Sequence, residues 1–320
     1  MPGASIVAER RTHRSPATVH TEPTRDHAIT AVLTTPVTLG SSRLGERPGG
    51  PELADALLAA PLGNIDTSNM YADGRSEALL GDAIGRAGGI PNGKLIYSKA
   101  DRDAVTGVFD GEQVRRSLEE SLERLGVDSL PLYQLHDPYT IAFEDAMAPG
   151  GAVPALLALR DQGVIGAIGI ASGTIAQVHE YVATGVFDVV LSHNRFTLVD
   201  RTAEPTFRLA RELGMTVFNA APFGGGTLAN GADTYGYREM PAAFAAHLSR
   251  VRRLADDLSV DLAAAALQFS LRSPLVDTTV VGITSLDRLA ALPHLLEPAV
   301  PEEFFDAIEH LGSPPASGND

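Results

Sequence analysis

The chain has 320 residues, 44% of them hydrophobic, and carries 25 basic against 40 acidic side chains, for a net charge of -15 at pH 7. This charge argues against nucleic acid or an anionic membrane surface as a partner, because either polyanion would be repelled. With no cysteine in the sequence, disulfides, thiol catalysis and cysteine metal sites are excluded, which fits a reducing, cytoplasmic location.

The length admits one large α/β barrel or two ordinary domains. No linker rich in Pro, Gly or Ser interrupts the middle of the sequence, so we predict one domain over residues 29–312. No apolar run approaches the length of a membrane span. Residues 1–28 lack apolar periodicity, which predicts a disordered tail, and residues 313–320 predict a flexible C-terminal end. Arg10 and Arg11 are not followed by the apolar segment that a twin-arginine export signal needs.

Short apolar runs alternate with amphipathic ones between the two tails. The apolar runs predict strands at residues 36–39, 63–68, 94–99, 130–136, 165–171, 186–192, 215–221 and 278–283. The amphipathic runs predict helices at residues 77–86, 112–125, 153–162, 175–182, 203–213 and 262–271, with Ser76 as the N-cap of the first. This alternation predicts a (β/α)8 TIM barrel. A further helical run at 241–258 belongs to a long loop that is expected to shape a pocket at the C-terminal face.

Four polar side chains fall at or just beyond the ends of three successive predicted strands. Asp66 and Tyr71 follow the second strand, Lys99 ends the third and His136 ends the fourth. Consecutive strand ends are neighbours in a parallel barrel, so we expect these side chains to meet. A phenol usually has a pKa near ~10, and a charged lysine beside it lowers that pKa by stabilising the phenolate. An aspartate would keep the lysine charged and oriented.

The histidine would hydrogen-bond a substrate oxygen and orient it against the phenol. Such a group moves a proton on or off an oxygen, and it contains neither a triad nucleophile nor a metal cage. Each residue alone also has a structural interpretation: a rim salt bridge for Lys99 and Asp66, a loop aromatic for Tyr71 and a core histidine for His136. Their convergence favours the catalytic interpretation.

The motifs that carry these residues resemble those of the aldo-keto reductase superfamily. They are Asp66-Thr-Ser followed by Tyr71, then Gly74-Arg-Ser-Glu, Ser98-Lys and Leu135-His-Asp, and the match extends from about residue 36 to about residue 296. The resemblance implies Tyr71 as the general acid/base, Lys99 and Asp66 as the pair that tunes it, and His136 as the orienting residue. It also implies a nicotinamide cofactor, NAD(P), and a small-molecule substrate.

The last predicted strand offers a place for the phosphates of that cofactor. Gly282 ends the strand, Ser285 is a predicted N-cap and Arg288 lies in the first turn of the next helix, whose free N–H groups suit a phosphate. Many relatives that prefer the 2′-phosphorylated cofactor have a lysine at the position of Gly282. The choice between NAD and NADP therefore stays open, with Arg288 able to engage the phosphate.

The resemblance implies further cofactor contacts at the ends of the fifth to seventh strands. Ser172 matches the serine that holds the nicotinamide amide, whereas Gly173 stands where an asparagine is common. His193 and Asn194 fall where relatives have glutamine and asparagine, although a histidine there also suits a solvated or core position. After the seventh strand, Phe223 and Gly224 begin a glycine-rich segment that is either a cofactor contact or a flexible turn. Ala220 stands where relatives often have a tyrosine that stacks on the nicotinamide. Either Phe218 or Phe223 would replace that tyrosine, or the nicotinamide ring is held in another way.

Two segments are similar to the subgroup that contains L-galactose, L-fucose and D-threo-aldose 1-dehydrogenases and pyridoxal 4-dehydrogenase. They are Arg195-Phe-Thr-Leu-Val-Asp and Asn219-Ala-Ala-Pro-Phe-Gly-Gly-Gly. The resemblance implies oxidation of a sugar hemiacetal to a lactone; a general aldehyde or ketone reductase and a non-enzymatic nicotinamide-sensing subunit are the alternatives. The short, Gly/Pro-rich segment 40–63 predicts a trimmed first loop and helix. The sequence leaves the oligomeric state open.

Overall fold

The structure is a computed structural model that describes residues 34–297 and 299–319. The predicted N-terminal tail at 1–28 and the predicted start of the domain at residue 29 lie outside the described residues. Within them, no helix is long and apolar enough to span a membrane.

Eight parallel strands form a closed barrel, which confirms the predicted fold. They are β1 (Val37–Gly40), β2 (Asn64–Asp66), β3 (Ile96–Ala100), β4 (Tyr133–His136), β5 (Ile168–Ser172), β6 (Val189–His193), β7 (Thr216–Ala220) and β10 (Thr278–Gly282). Strands β8 (Thr234–Tyr235) and β9 (Arg238–Glu239), which were not predicted, form a separate antiparallel hairpin. The barrel neighbours follow the order β1, β10, β7, β6, β5, β4, β3, β2. The predicted strands are correct in place and differ from these only by a few residues at their ends.

The barrel interior explains why polar residues collect at one end. Alternate strand residues point inward, where Tyr97, Phe218, Val280 and their neighbours make an apolar cluster separate from the layer between strands and helices. Two residues after Tyr97 on β3, the same alternation points Lys99 inward, above the cluster. The last inward residue of each strand therefore faces the mouth at the C-terminal ends of the strands.

The helices surround the barrel. They are α1 (Gly50–Ala59), α2 (Arg75–Ala87), α3 (Gly111–Leu125), α4 (Phe143–Met147), α5 (Ala152–Asp161), α6 (Ile175–Ala183), α7 (Glu204–Glu212), α8 (Ala242–Asp257), α9 (Leu262–Leu271), α10 (Leu286–Leu296) and α11 (Glu302–His310). All predicted helices are present, including the extra one, α8. Neither α4 nor α11 was predicted.

The expectation of a trimmed first helix is wrong, because α1 is a full helix of 10 residues. Pro51 lies in its first turn, where a proline is compatible with helix. Leu53, Leu57 and Leu58 are buried at helical spacing. The Gly and Pro residues that suggested a trimmed segment instead start the helix.

Ser76 is not the N-cap of α2. Gly74 holds that position with a positive φ of 82°, and the helix begins at Arg75. The Ser76 hydroxyl is buried and bonds the hydroxyls of Ser41 at 3.0 Å and Thr67 at 2.9 Å. It therefore ties the start of α2 to the loop after β1 and to the end of β2.

Residues 313–319, which the sequence predicts as part of a flexible end, lie against the barrel. Ser317 and Asn319 are buried. The guanidinium of Arg195 donates to the backbone oxygen of Asn319, and Pro241 packs close to Gly318. These contacts order the segment and place it beside the loop before α8.

Glu77 connects α2 to the barrel and to α3. Its fully buried carboxylate accepts from the Ser98 hydroxyl at 2.5 Å and from the Arg124 guanidinium at 3.2 Å. We expect Glu77→Ala to lower the free energy of unfolding by about 2–4 kcal/mol, because both partners lose a charged acceptor. Urea unfolding measures this. Arg86→Ala, which breaks an exposed pair with Asp55, is the control; an equal loss in both variants would contradict a special role for Glu77.

Candidate active site

The four residues predicted at the strand ends do meet in the structure. Asp66, Tyr71, Lys99 and His136 line one pocket of about 260 Å³ at the barrel mouth. The rest of its lining includes Ser42, Asp137, Leu191, His193, Asn194, Ala220, Tyr237 and Gly282. Its location confirms that the ends of β2, β3 and β4 bring these side chains together.

Lys99 is the centre of the group. Its ammonium is almost fully buried and donates to Asp66 Oδ1 at 2.5 Å, to the Thr67 carbonyl at 2.6 Å and to the Tyr71 hydroxyl at 3.2 Å. All three N–H groups therefore have an acceptor. Burial lowers the pKa of Lys99, but Asp66 and Tyr71 outweigh burial and the net shift is upward. The lysine stays charged, as the sequence interpretation expected.

Tyr71 does not become an easily ionised phenol. Burial is the largest influence and raises its pKa to about 12, with Lys99 opposing and Asp66 adding to the rise. Lys99 does favour the phenolate, as expected, because its charge and its hydrogen bond lower the pKa of Tyr71, but burial and the charge of Asp66 together outweigh it. Because the oxygen of Tyr71 already accepts from Lys99, its own hydrogen is free to be donated into the pocket.

His136 has two partners on Nδ1, and the sequence interpretation identified neither of them. Asp101 Oδ1 lies 2.7 Å from Nδ1 and the Ser68 hydroxyl lies 3.0 Å from it. Burial lowers the pKa of His136, but the charge and hydrogen bond of Asp101 outweigh it and the net shift is upward. The available signal for Asp101 was its position two residues after Lys99, at a strand end. Gln134, which donates to Asp66 Oδ2 at 3.3 Å, was missed as well.

His193 fills the space that the small Gly173 leaves open. A Cβ on Gly173 would lie 2.5 Å from the imidazole, so this histidine and a larger residue at 173 exclude each other. The Asn194 amide donates to His193 Nδ1 at 3.0 Å, which leaves the proton of the neutral ring on Nε2. Burial lowers the pKa of His193, so this neutral form predominates.

A second pocket of about 300 Å³ adjoins the first and shares four lining residues with it: Ser42, Ala221, Tyr237 and Gly282. It holds Ser285 and Arg288 as predicted, together with Arg43 and Arg47 of the first loop, which were not. Ser285 caps α10 by accepting from the Arg288 N–H, which confirms the predicted N-cap. Gly282 is open, with nothing within 4 Å of an added Cβ among the described residues.

The remaining predicted contacts lie in different places. Ser172 is buried and donates to the Tyr139 hydroxyl at 3.2 Å. Phe223 lines the second pocket, whereas Gly224 packs behind it: a Cβ there would be 2.2 Å from the Tyr235 ring.

Of the two phenylalanines considered for stacking, Phe218 does not line the mouth. It lies inside the barrel, with its ring centroid 5.7 Å from that of Tyr97. The aromatic ring that lines both pockets is Tyr237, on the turn of the β8–β9 hairpin. Tyr237 belongs to the long loop that the sequence analysis expected to shape the pocket, although this residue was not singled out there.

Over residues 34–297 and 299–319, no group of three or more His, Asp or Glu side chains is arranged to hold a metal ion.

Comparisons with known proteins agree with this geometry. The sequence profile of the Aldo/keto reductase family matches residues 37–313. A pyridoxal 4-dehydrogenase of Microbacterium luteolum is 28% identical over 331 aligned residues, covering 88% of this chain and 95% of that protein. A D-threo-aldose 1-dehydrogenase of a Pseudomonas species is 34% identical over 179 residues, 54% of each chain.

Among solved structures, the holo form of aldo-keto reductase AKR11C1 from Bacillus halodurans superposes with a TM-score of 0.71 at 23% identity. The match covers 89% of this chain and 94% of that one. At this identity the likeness supports the barrel fold. The resemblance inferred from the motifs, including its subgroup, is confirmed by the profile and the named relatives.

Proposed function

Because this chain belongs to the aldo/keto reductase family and is an NAD(P)-dependent oxidoreductase, we propose that it oxidises the hemiacetal carbon of an aldose to a lactone. Two relatives support this substrate class, since they are named for sugar oxidation: the D-threo-aldose 1-dehydrogenase and an L-galactose dehydrogenase of Arabidopsis thaliana, the latter 26% identical over 258 residues.

The observation that carries the proposal is the buried contact of Lys99 with both Asp66 and Tyr71, opposite His136. The Tyr71 hydroxyl and the His136 imidazole face one small cavity from two walls. A substrate oxygen between them would be held at the point where it changes between hydroxyl and carbonyl. A bound nicotinamide dinucleotide supplies the electron acceptor or donor.

The residues present fit such a cofactor. The two adjoining pockets together form a groove with the catalytic side chains, His193 and Asn194 at one end and arginines at the other. At the first end, the Nε2–H of His193 replaces the amide donor that Gly173 cannot provide. Asn194 Oδ1 is buried there without a hydrogen-bond partner among the described residues, as an acceptor awaiting an N–H would be. At the other end, Arg288 and the α10 N-terminus suit a phosphate.

A second function is that of a general reductase of aldehydes or ketones, with pyridoxal among its substrates. The relative named pyridoxal 4-dehydrogenase, which the chain matches over most of its length, favours pyridoxal as the substrate, while its name describes the oxidative direction. The same side chains serve both reactions, because reduction of a carbonyl is the reverse of oxidation of a hydroxyl. Only the substrate distinguishes them.

A substrate panel tests the proposal. Purified protein is given aldoses, including L-fucose, L-galactose and D-arabinose, with NAD or NADP, and simple aldehydes and pyridoxal with the reduced cofactors, while absorbance reports the reduced nicotinamide. We expect turnover of at least one aldose with formation of a lactone. Turnover of carbonyl compounds with none of any aldose would replace the sugar proposal by the reductase. Tight cofactor binding without turnover in either direction would contradict both.

Arg288 is proposed to recognise a 2′-phosphate on the adenosine ribose. We expect Arg288→Ala to weaken binding of NADP about tenfold or more and to leave NAD binding nearly unchanged, because a charge-assisted hydrogen bond contributes about 1.5–3 kcal/mol. Fluorescence titration of both cofactors measures the ratio. Arg208→Ala, at an exposed arginine on α7 outside the groove, is the control. An equal effect on both cofactors would contradict the assignment.

A further inference from the structure

A further cavity, of about 460 Å³, lies away from the barrel mouth. It is bounded by the loop after β6, by α8 and by the end of α11 with the segment that follows it, and it shares no lining residue with the active-site pocket. We propose that this cavity binds a small aliphatic diamine, with one ammonium group on the carboxylate of Asp200. The site is independent of the proposed function, because none of its residues takes part in that reaction.

Asp200 has one carboxylate oxygen without a partner. It ends the segment Arg195-Phe-Thr-Leu-Val-Asp, to which the motifs assign no role, and it is only 2% exposed. Oδ1 accepts from the Thr202 hydroxyl at 2.6 Å and from the Thr202 N–H at 3.0 Å. Oδ2 is buried and accepts no hydrogen bond from the described residues. A buried charged acceptor without a donor is costly, so this oxygen requires a donor that the described chain does not supply.

His247 supplies a second unpartnered atom in the lining of the same cavity. It lies on the buried face of α8 and is 5% exposed, and its Nε2 has no hydrogen-bond partner in the part of the chain that the structure describes. Burial is the largest influence on its pKa and lowers it, and the charges of Arg250 and Arg201 lower it further. The imidazole is therefore neutral at pH 7. With its hydrogen on Nδ1, Nε2 is an acceptor for an N–H group.

The charges of the lining select a cation. The carboxylates of Asp200, Glu204 and Glu309 outnumber a single guanidinium, that of Arg201. This guanidinium is already engaged, because it donates to the Thr197 carbonyl and to Glu309 Oε1, both at 3.0 Å. An anion would therefore be repelled by the net negative charge of the cavity. An ammonium group is attracted by it and supplies the N–H that Asp200 Oδ2 lacks.

The walls of the cavity favour two ammonium groups joined by methylenes over a bare metal ion. Over residues 34–297 and 299–319, no three His, Asp or Glu side chains are grouped to hold a metal. Apolar side chains that suit a methylene chain make up much of the remaining lining, namely Leu198, Ile308, Pro314 and Pro315.

The acids differ in their exposure to solvent. Asp200 is buried, whereas the side chains of Glu204 and Glu309 are 32% and 67% exposed. A diamine can therefore place one ammonium group at the buried acid and the other near the outer carboxylates, where water still reaches it. A volume of about 460 Å³ is within the range of small-molecule sites.

Calorimetric titration of the full chain with 1,4-diaminobutane tests the site. We expect saturable one-to-one binding. We expect 1,4-butanediol, which has the same length and no charge, to bind about tenfold more weakly or less, because hydrogen bonds between charged groups are the stronger ones. Equal binding of the diol would overturn the choice of a cation. No saturable binding of the diamine would overturn the site.

The binding must also be located, because a net charge of -15 attracts cations over the whole surface. Asp200→Asn should weaken 1,4-diaminobutane about tenfold or more, since the amide oxygen stays with Thr202 and an NH2 group replaces the free carboxylate oxygen. Glu309→Gln should weaken it only about two- to fivefold, because this carboxylate is exposed. Glu303→Gln, at an exposed position of α11 outside the cavity, is the matched control. Wild-type affinity in Asp200→Asn would overturn the assignment.

A last measurement needs no change at Asp200. Wild-type protein labelled with 15N-histidine is titrated with 1,4-diaminobutane and followed by NMR, with His247→Gln and His136→Gln identifying the two rings. We expect the Nε2 signal of His247 to shift with the saturation that calorimetry shows, and the signals of His136 at the barrel mouth to stay. Saturable binding without a shift of His247, or with a shift of His136 instead, would overturn the site even if Asp200→Asn fails to fold.

Discussion

Tyr71→Phe should reduce kcat about 10²–10⁴-fold in either direction while cofactor binding stays nearly unchanged. The phenylalanine keeps the ring beside His136 and removes only the hydroxyl, which accepts from Lys99 and donates into the pocket. A substrate oxygen then loses its donor on that wall. Steady-state kinetics with the best substrate of the panel and fluorescence titration of the cofactor measure the two effects.

Tyr181→Phe is the matched control for this change. Tyr181 is also fully buried, but it packs against Phe143 and Phe187 on the outer layer, away from the pocket. Removing its hydroxyl should leave kcat close to that of wild type. A Tyr71→Phe enzyme with more than a tenth of the wild-type kcat would contradict the role of the phenol.

Lys99→Met should abolish most activity and also destabilise the fold. The lysine and Asp66 are both buried and make an ion pair at 2.5 Å. Removing the cation leaves an uncompensated carboxylate, which costs about 3–5 kcal/mol when a buried pair is broken on one side. Activity should fall at least as far as in Tyr71→Phe, because the phenol also loses the group that holds it. Urea unfolding and kinetics measure the two losses separately.

The double variant Lys99→Met with Asp66→Asn separates the two roles. Asparagine removes the stranded charge and keeps an oxygen for the Gln134 amide, so most of the lost stability should return. Activity should not return. If the double variant recovered both, the pair would be structural only; if it recovered neither, the stability loss would have a cause other than the stranded charge.

The sequence was sufficient for the barrel and for four residues of the site because both depend on local patterns. Apolar runs of strand length marked all eight barrel strands, and polar residues at three strand ends marked Asp66, Tyr71, Lys99 and His136. The ends of parallel strands must be adjacent in a closed barrel, so spacing along the chain could be converted into proximity.

What the sequence missed depends on contacts between distant segments. Burial, which no motif encodes, raises the pKa of Tyr71 to about 12 and outweighs the lowering effect of Lys99. The pairing of His193 with Gly173 joins two strand ends whose residues each looked like a departure from the family pattern. Tyr237 reaches the mouth because a hairpin of four strand residues turns back over it.

The C-terminal segment was misjudged for a related reason. Its small and polar composition is that of a frayed end, yet Ser317 and Asn319 are buried against the loop after β6 and the hairpin. The composition of a segment shows how much apolar surface it can bury. It does not show whether distant segments of the chain will pack against it.

The central claim, direct hydride transfer between the hemiacetal carbon of an aldose and a nicotinamide, is tested by isotope transfer. L-Fucose carrying deuterium at C1, or the aldose that the panel shows to be the best substrate, is oxidised with the preferred cofactor in ordinary water. Mass spectrometry then measures the label in the reduced cofactor. The account predicts one deuterium in each reduced nicotinamide formed. Reduced cofactor without the label would contradict it.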